Sequence, residues 1–83
     1  MKGKRIYLED DGRVPLLKPG EYLQLDNGTW IGCSPNGHGC NLASHKVVEH
    51  EDGSISVSPS IRIYDSTGDL WHGFLEKGNW RTA

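Results

Sequence analysis

The sequence predicts a small all-β protein, and three observations lead to that prediction. Glycine follows Asp, Asn, Pro, Thr or Lys repeatedly along the 83 residues, and such pairs supply the positive φ that tight turns require. The segments between these pairs are short and rich in β-branched and aromatic residues. No segment has the apolar periodicity of a helix over roughly eleven residues or more. We therefore expect one domain over residues 1–83, built as a meander, sandwich or half-open barrel of about six to eight short antiparallel strands.

The first predicted strand, Arg5 to Leu8, precedes a turn at Gly12 and a run in which Pro15 restricts any strand to a sheet edge. The cations Lys2, Lys4 and Arg5 cluster at this terminus. Such a cluster is typical of a solvated tail.

Asn27-Gly28 is the strongest hairpin signal in the chain and joins two predicted strands, 21–25 and 29–33. A two-residue turn at this point places Leu25 opposite Trp30. We expect these two side chains and Leu23 to share the core face.

The stretch from Cys33 to Asn41 contains Pro35 and two glycines, so we expect a loop that something other than ladder hydrogen bonds holds in place. The next predicted hairpin joins 44–50 to 54–58 across Asp52-Gly53. It places His50 opposite Ile55.

Pro59 is expected to interrupt the following strand, which resumes at Ile61 and Ile63. The last hairpin turns at Lys77-Gly78 and places Leu75 opposite Trp80. The tryptophans are expected to belong to the core, because the chain has only one phenylalanine and one methionine.

The net charge is −2 and the sequence pI is about 6.0, so no attraction to nucleic acid or an anionic membrane is expected. No apolar run reaches membrane-spanning length, and the first residues lack the apolar region of a signal peptide. We therefore expect a soluble, cytoplasmic protein. Thiols stay reduced in that compartment, which favours metal binding or buried thiols over a disulfide.

Two segments concentrate residues that could bind a metal. Cys33, His38 and Cys40 lie in the first, and Asp69 and His72 lie in the second. Zinc takes four such ligands in a tetrahedron, drawn from thiolate, imidazole and carboxylate groups. We expect the fold to bring the two segments together around a structural zinc, with Cys33, Cys40, His72 and either His38 or Asp69 as ligands.

Other interpretations of these residues stay open. The cysteines could be unliganded buried thiols or, less in keeping with a reducing compartment, a disulfide. No residue is assigned a catalytic role, because nothing in the sequence supplies an oxyanion hole or an orienting partner for a cysteine nucleophile. His45 and His50 alternate with apolar residues and are expected at the rim of a strand.

The second half of the chain resembles a family of small domains found in phage and prophage genomes, whose function is unassigned. The resemblance covers about residues 30–81 and is carried mainly by Ser58-Pro-Ser-Ile61 and by Trp71-His-Gly-Phe-Leu75, which leads to Gly78-Asn-Trp80. In many such domains a cysteine lies three residues before the histidine, and the cysteines look like zinc ligands. The resemblance implies a zinc site in which Asp69 takes the place of that cysteine, or a degenerate site without metal.

We therefore expect a phage-type β-domain with a structural zinc that acts as a protein-interaction or accessory module, and an enzymatic role is left open. One alternative is a metal-dependent hydrolase with an open zinc position. A second is a single-stranded nucleic-acid binder that uses Trp71, Trp80 and Arg81 as a stacking platform, against which the acidic balance argues.

Overall fold

The computed structural model describes all 83 residues and contains eight strands and no helix. The all-β prediction is therefore confirmed. No helix that could span a membrane is present. The strands are β1 (Lys4–Arg5), β2 (Glu21–Gln24), β3 (Trp30–Cys33), β4 (Gly39–Asn41), β5 (Lys46–Glu49), β6 (Ile55–Asp65), β7 (Gly68–Glu76) and β8 (Asn79–Thr82).

These strands form two four-stranded sheets in sequence order, β1 to β4 and β5 to β8. All neighbours are antiparallel except β1 and β2, which are parallel. Strand β6 runs straight through Pro59, so the predicted interruption is wrong. A shift of register between Val57 and Ile61 accommodates the proline, as bulges do in strands that contain one.

One core joins the two sheets, because its buried residues come from both. Trp71 and Trp80 meet edge to face inside it, with ring centroids 5.5 Å apart, which confirms the prediction that the tryptophans are core residues. The members are Tyr22, Trp30, Leu42, Ile55, Val57, Ile61, Trp71, Leu75 and Trp80.

Leu23 and Cys33 are also buried, but they lie outside that cluster. Leu23 is paired with Ile31, two residues before Cys33, so all three side chains project from the same face of the first sheet. Trp30 projects from the opposite face. The predicted grouping of Leu23 with Trp30 is therefore wrong.

The cause is the length of the turn at Asn27-Gly28. Gln24, and not Leu25, is opposite Trp30, because the loop has three residues instead of two. A two-residue type I′ turn needs positive φ at both central positions, yet Lys77 is the only non-glycine residue with positive φ. The hairpin therefore has a type I turn followed by one glycine in the left-handed conformation, and this glycine is the third residue of the loop.

The same turn occurs four times in the chain, including the one at Asn27-Gly28. In each, the amide of the first residue donates to the carbonyl four positions on, and the amide of the glycine donates back to the first carbonyl. At Asp52-Gly53 it places Glu49, and not His50, opposite Ile55. The first residues of the four turns are Glu9, Leu25, Ser34 and His50.

The turn at Lys77-Gly78 is different, because both residues have positive φ, 48° and 77°. The loop has two residues and Leu75 lies opposite Trp80, as predicted.

The first three residues connect the sheets. The amine of Met1 donates to the carbonyl of Trp80 at 2.9 Å, and the amide of Gly3 donates to Gly78 at 2.7 Å, so this segment lies beside β8. The chain then crosses at Gly3 into β1, which pairs with β2. The crossing therefore bridges the two sheets on one side of the molecule.

Candidate functional site

The segment from Cys33 to Asn41 is a hairpin, and the predicted loop is therefore wrong. Strands β3 and β4 form an antiparallel ladder in which Gly32 lies opposite Cys40. At its tip Ser34 is fully buried, and its hydroxyl accepts a hydrogen bond from the His38 amide at 3.0 Å. Backbone pairing accounts for the order of this segment without a metal.

The two thiols project from opposite faces of this hairpin. Cys40 shares a face with its partner Gly32, and its Sγ lies 3.7 Å from the point that a β-carbon on Gly32 would occupy. There it packs against the core. Cys33 points the other way and is 4 % exposed. Both cysteines are free.

Burial also makes both thiols poor nucleophiles. It raises the pKa of Cys40 from 9.0 to about 11 and raises the pKa of Cys33 as well. Because the thiolate is the reactive form, neither cysteine is activated at neutral pH.

The two predicted ligands of the second segment, Asp69 and His72, are exposed on the other sheet. Asp69 Oδ1 accepts a hydrogen bond from Arg62 Nε at 2.7 Å in an exposed ion pair. The exposed ring of His72 lies with Nε2 3.0 Å from Ser60 Oγ. Both residues therefore have partners other than the cysteines.

The two segments do meet, but not through their metal-binding groups. Asn36, at the tip of the hairpin, donates to the carbonyl of Leu70 at 2.9 Å. His38 lies close enough to Asp65 to add to a lowering of its pKa that hydrogen bonds from Thr67 dominate. No group of three or more His, Cys, Asp or Glu residues is placed to hold one metal ion, so the five predicted ligands do not form a site in this arrangement.

No protein-family model matches the chain, and neither a curated protein nor a solved structure matches it. The resemblance to phage-borne domains, and the zinc that it implies, therefore stay predictions.

His45 lines a cleft of about 400 Å³ together with Trp30, Leu42 and Val47. Its Nε2 is 3.1 Å from the carbonyl oxygen of Ser60. A carbonyl only accepts, so Nε2 carries the hydrogen and Nδ1 of the neutral ring is an acceptor. That Nδ1 is buried without a partner. No motif around His45 in the sequence signals this, because the partner lies 15 positions away on β6.

Arg5 is not part of a solvated tail as predicted. Its side chain is 17 % exposed, and its guanidinium lies 4.8 Å from the ring centroid of Trp30 and 5.0 Å from that of Tyr7. Its Nη1 donates to Glu49 at 2.8 Å and to the carbonyl of Gly53 at 3.3 Å. Arg5 thus ties the first strand to the second sheet.

Three exposed apolar side chains, Tyr7, Val14 and Leu16, are a second notable feature. They lie on the segment between β1 and β2, which has no strand. Leu16 is 93 % exposed, the largest value among the exposed large hydrophobic residues.

Proposed function

We propose that the protein is a non-catalytic module that binds a partner protein through the segment 6–19. The exposure of Leu16 in an ordered segment is the observation that carries this proposal. Single exposed leucines are common on soluble proteins. Here, however, three large apolar side chains lie within ten positions, with Tyr7 68 % and Val14 51 % exposed, as in surfaces that bind other proteins.

Residues 9–13 of the segment form a hydrogen-bonded turn before any partner binds. The amide of Glu9 donates to Arg13 at 2.9 Å, and the amide of Gly12 donates to Glu9 at 2.8 Å. Arg13 also forms an ion pair with Asp11 at 2.6 Å. A turn that is ordered before binding loses less conformational entropy when the partner binds. More of the free energy gained by burying the exposed side chains is then available for affinity.

The charges beside these residues define the partner. Glu9 and Asp10 are exposed and take part in none of the four ion pairs, and Lys18 at the other end of the segment is likewise exposed and unpaired. A complementary surface has an apolar pocket for Leu16, a basic group near Glu9 and Asp10, and an acidic group near Lys18. Charge complementarity of this kind sets orientation and association rate more than affinity.

The test uses a photo-crosslinking amino acid at position 16, with position 64 as the control. Tyr64 is 66 % exposed on another part of the molecule. The protein crosslinked from position 16 is then purified and titrated into the unmodified chain. We expect Leu16→Ser to weaken binding at least tenfold and Tyr64→Ser to leave it unchanged. Equal losses in both variants, or crosslinks only to a second copy of the chain, would contradict the proposal.

The other expected functions have less support. A metal-dependent hydrolase needs about three protein ligands around one ion, and no such group is present. Trp71 and Trp80 are 7 % and 2 % exposed, so they are core residues and cannot form a platform for bases. The predicted zinc ligands lie outside the segment 6–19, and a separate experiment tests the zinc site.

A further inference from the structure

A second cleft, of about 280 Å³, opens where the N-terminal segment crosses from β8 to β2. We call it the crossing cleft. Four separate parts of the chain contribute to it, and Tyr22 is its only hydrophobic lining residue. The lining residues are Lys2, Gly3, Arg5, Tyr22, Asp52, Gly53, Ser54, Lys77, Gly78 and Asn79.

The crossing cleft is positively charged although the chain as a whole carries a charge of −2. Lys2, Arg5 and Lys77 line it, and Asp52 is the only acidic residue there. Neither lysine belongs to an ion pair. Unpaired cations that converge on one cleft attract an anion.

Asp52 offsets part of this charge but forms no ion pair with the cations of the cleft. Its Oδ1 accepts hydrogen bonds from the Ser54 amide at 2.9 Å and from the Ser54 hydroxyl at 2.6 Å. These bonds hold the turn and lower the pKa of Asp52. The carboxylate is therefore engaged in its own turn instead of pairing with Lys2 or Lys77.

Arg5 supplies a fixed donor with unused capacity. Contacts with Trp30 and Glu49 hold its guanidinium in place, yet its Nε is buried without a hydrogen-bond partner. Buried N–H groups in folded proteins are nearly always paired, and an exception often marks a missing ion or ligand. The Nε–H group of Arg5 therefore has no hydrogen-bond acceptor.

We propose that the crossing cleft binds an oxyanion, such as a phosphate group, held by Arg5 and by the ammonium groups of Lys2 and Lys77. Arginine and lysine together are the usual partners of phosphate, the first as a fork of donors and the second as a point charge. Arg5 also contacts Tyr7 of the segment 6–19, but the anion and the partner protein would be held by different groups, so either proposal can fail while the other holds.

The test is an NMR titration of the full chain at low ionic strength, with inorganic phosphate in one arm and a phosphomonoester in the other. We expect the amide signals of Gly53 and Gly78 to shift in a saturable way. Shifts with both probes indicate a site for phosphate itself, and shifts with the phosphomonoester alone indicate a larger phosphorylated ligand. No saturable shift with either probe would overturn the proposal.

Substitutions locate the site. Lys77→Asn removes a charge and keeps a residue that tolerates the positive φ, and we expect binding at least fivefold weaker. Lys4→Gln is the matched control, because Lys4 is exposed and does not line the cleft. Asp52→Asn keeps an acceptor for Ser54 but removes the only negative charge, so we expect tighter binding. Equal weakening by the Lys4 and Lys77 variants would show general charge attraction and reject the site.

Discussion

The indole Nε1 of Trp80 donates a buried hydrogen bond of 2.9 Å to the carbonyl of Gly20. Trp80 lies in β8 of the second sheet, whereas Gly20 directly precedes β2 of the first sheet, 60 positions away in the chain. The same carbonyl accepts from the amide of Lys4 at 3.0 Å. One oxygen atom therefore links β8, β1 and the start of β2.

Trp80→Phe removes this donor and part of a buried ring. We expect the free energy of unfolding to fall by about 2 kcal/mol, from the lost hydrogen bond and the cavity together. Urea denaturation measures the change. Trp71→Phe is the comparison, because the Trp71 indole bonds at 3.2 Å to the hydroxyl of Thr82, an exposed residue, where water can replace it. A larger loss for Trp71→Phe would argue against a special role for the bond to Gly20.

Gly3→Ala should destabilise the crossing between the sheets. A β-carbon there would lie 2.7 Å from the Gly78 oxygen, 2.8 Å from Trp80 Nε1 and 2.9 Å from the Gly20 oxygen. None of these atoms is the end of a flexible side chain, so we expect a loss of about 1–3 kcal/mol or more, measured by thermal unfolding.

Gly39→Ala is the control for that substitution. Nothing lies within 4 Å of its added β-carbon, and its φ is not in the left-handed region. We expect no loss of stability from it, and a gain of up to about 1 kcal/mol is consistent with a less flexible unfolded chain. Equal changes in stability for Gly3→Ala and Gly39→Ala would contradict the predicted steric clash at Gly3.

Stability should decline between pH 9 and pH 11 because of Cys40. Burial raises the pKa of its thiol from 9.0 to about 11. Between these values the unfolded chain has released a proton that the folded chain keeps, so the stabilisation is complete below pH 9 and is lost as the pH rises toward 11. The full contribution is about 2–3 kcal/mol.

Urea midpoints of the wild type and of Cys40→Ala at pH 8 to 11 measure this contribution. Other groups titrate in the same range, but they are common to both proteins and cancel in the difference. We expect the alanine variant to be less stable at pH 8 and to lose less stability above pH 9. Parallel pH profiles would contradict the prediction.

The zinc site is tested by elemental analysis of the purified protein and by melting with a chelator. The predicted structural zinc should appear as about one equivalent of bound metal and as a lower melting temperature in chelator. Because Cys33, Cys40 and His72 lie apart here, binding requires the hairpin and β7 to rearrange around the ion, and His72→Ala should reduce the zinc content. Little bound zinc, with a melting temperature that the chelator leaves unchanged, would contradict the prediction.

The all-β class and the core tryptophans could be predicted because they depend on local signals, namely glycine turns and strand-forming runs. The register of the hairpins at Asn27-Gly28 and Asp52-Gly53 could not be predicted in this way. Asn27-Gly28 and Lys77-Gly78 look alike in sequence, but only Lys77 adopts positive φ, and that choice depends on the whole hairpin. Local pattern alone does not distinguish a two-residue loop from a three-residue one.

The candidate sites were harder to predict for a related reason. The unpartnered Nδ1 of His45 depends on the carbonyl of Ser60, and the crossing cleft depends on the contact of Gly3 with Gly78. Both are pairings between distant parts of the chain. Residue types identify the groups able to bind a ligand, and topology decides which of them meet.

The pairing of the first residues with β8 also sets the order in which the protein can assemble. Met1 bonds to Trp80, 79 positions away, and contacts so distant in sequence form slowly, because loop closure must precede them. During synthesis, β8 must leave the ribosome before the N-terminal segment can find its partner. Until then the N-terminal segment cannot link the first sheet to the second.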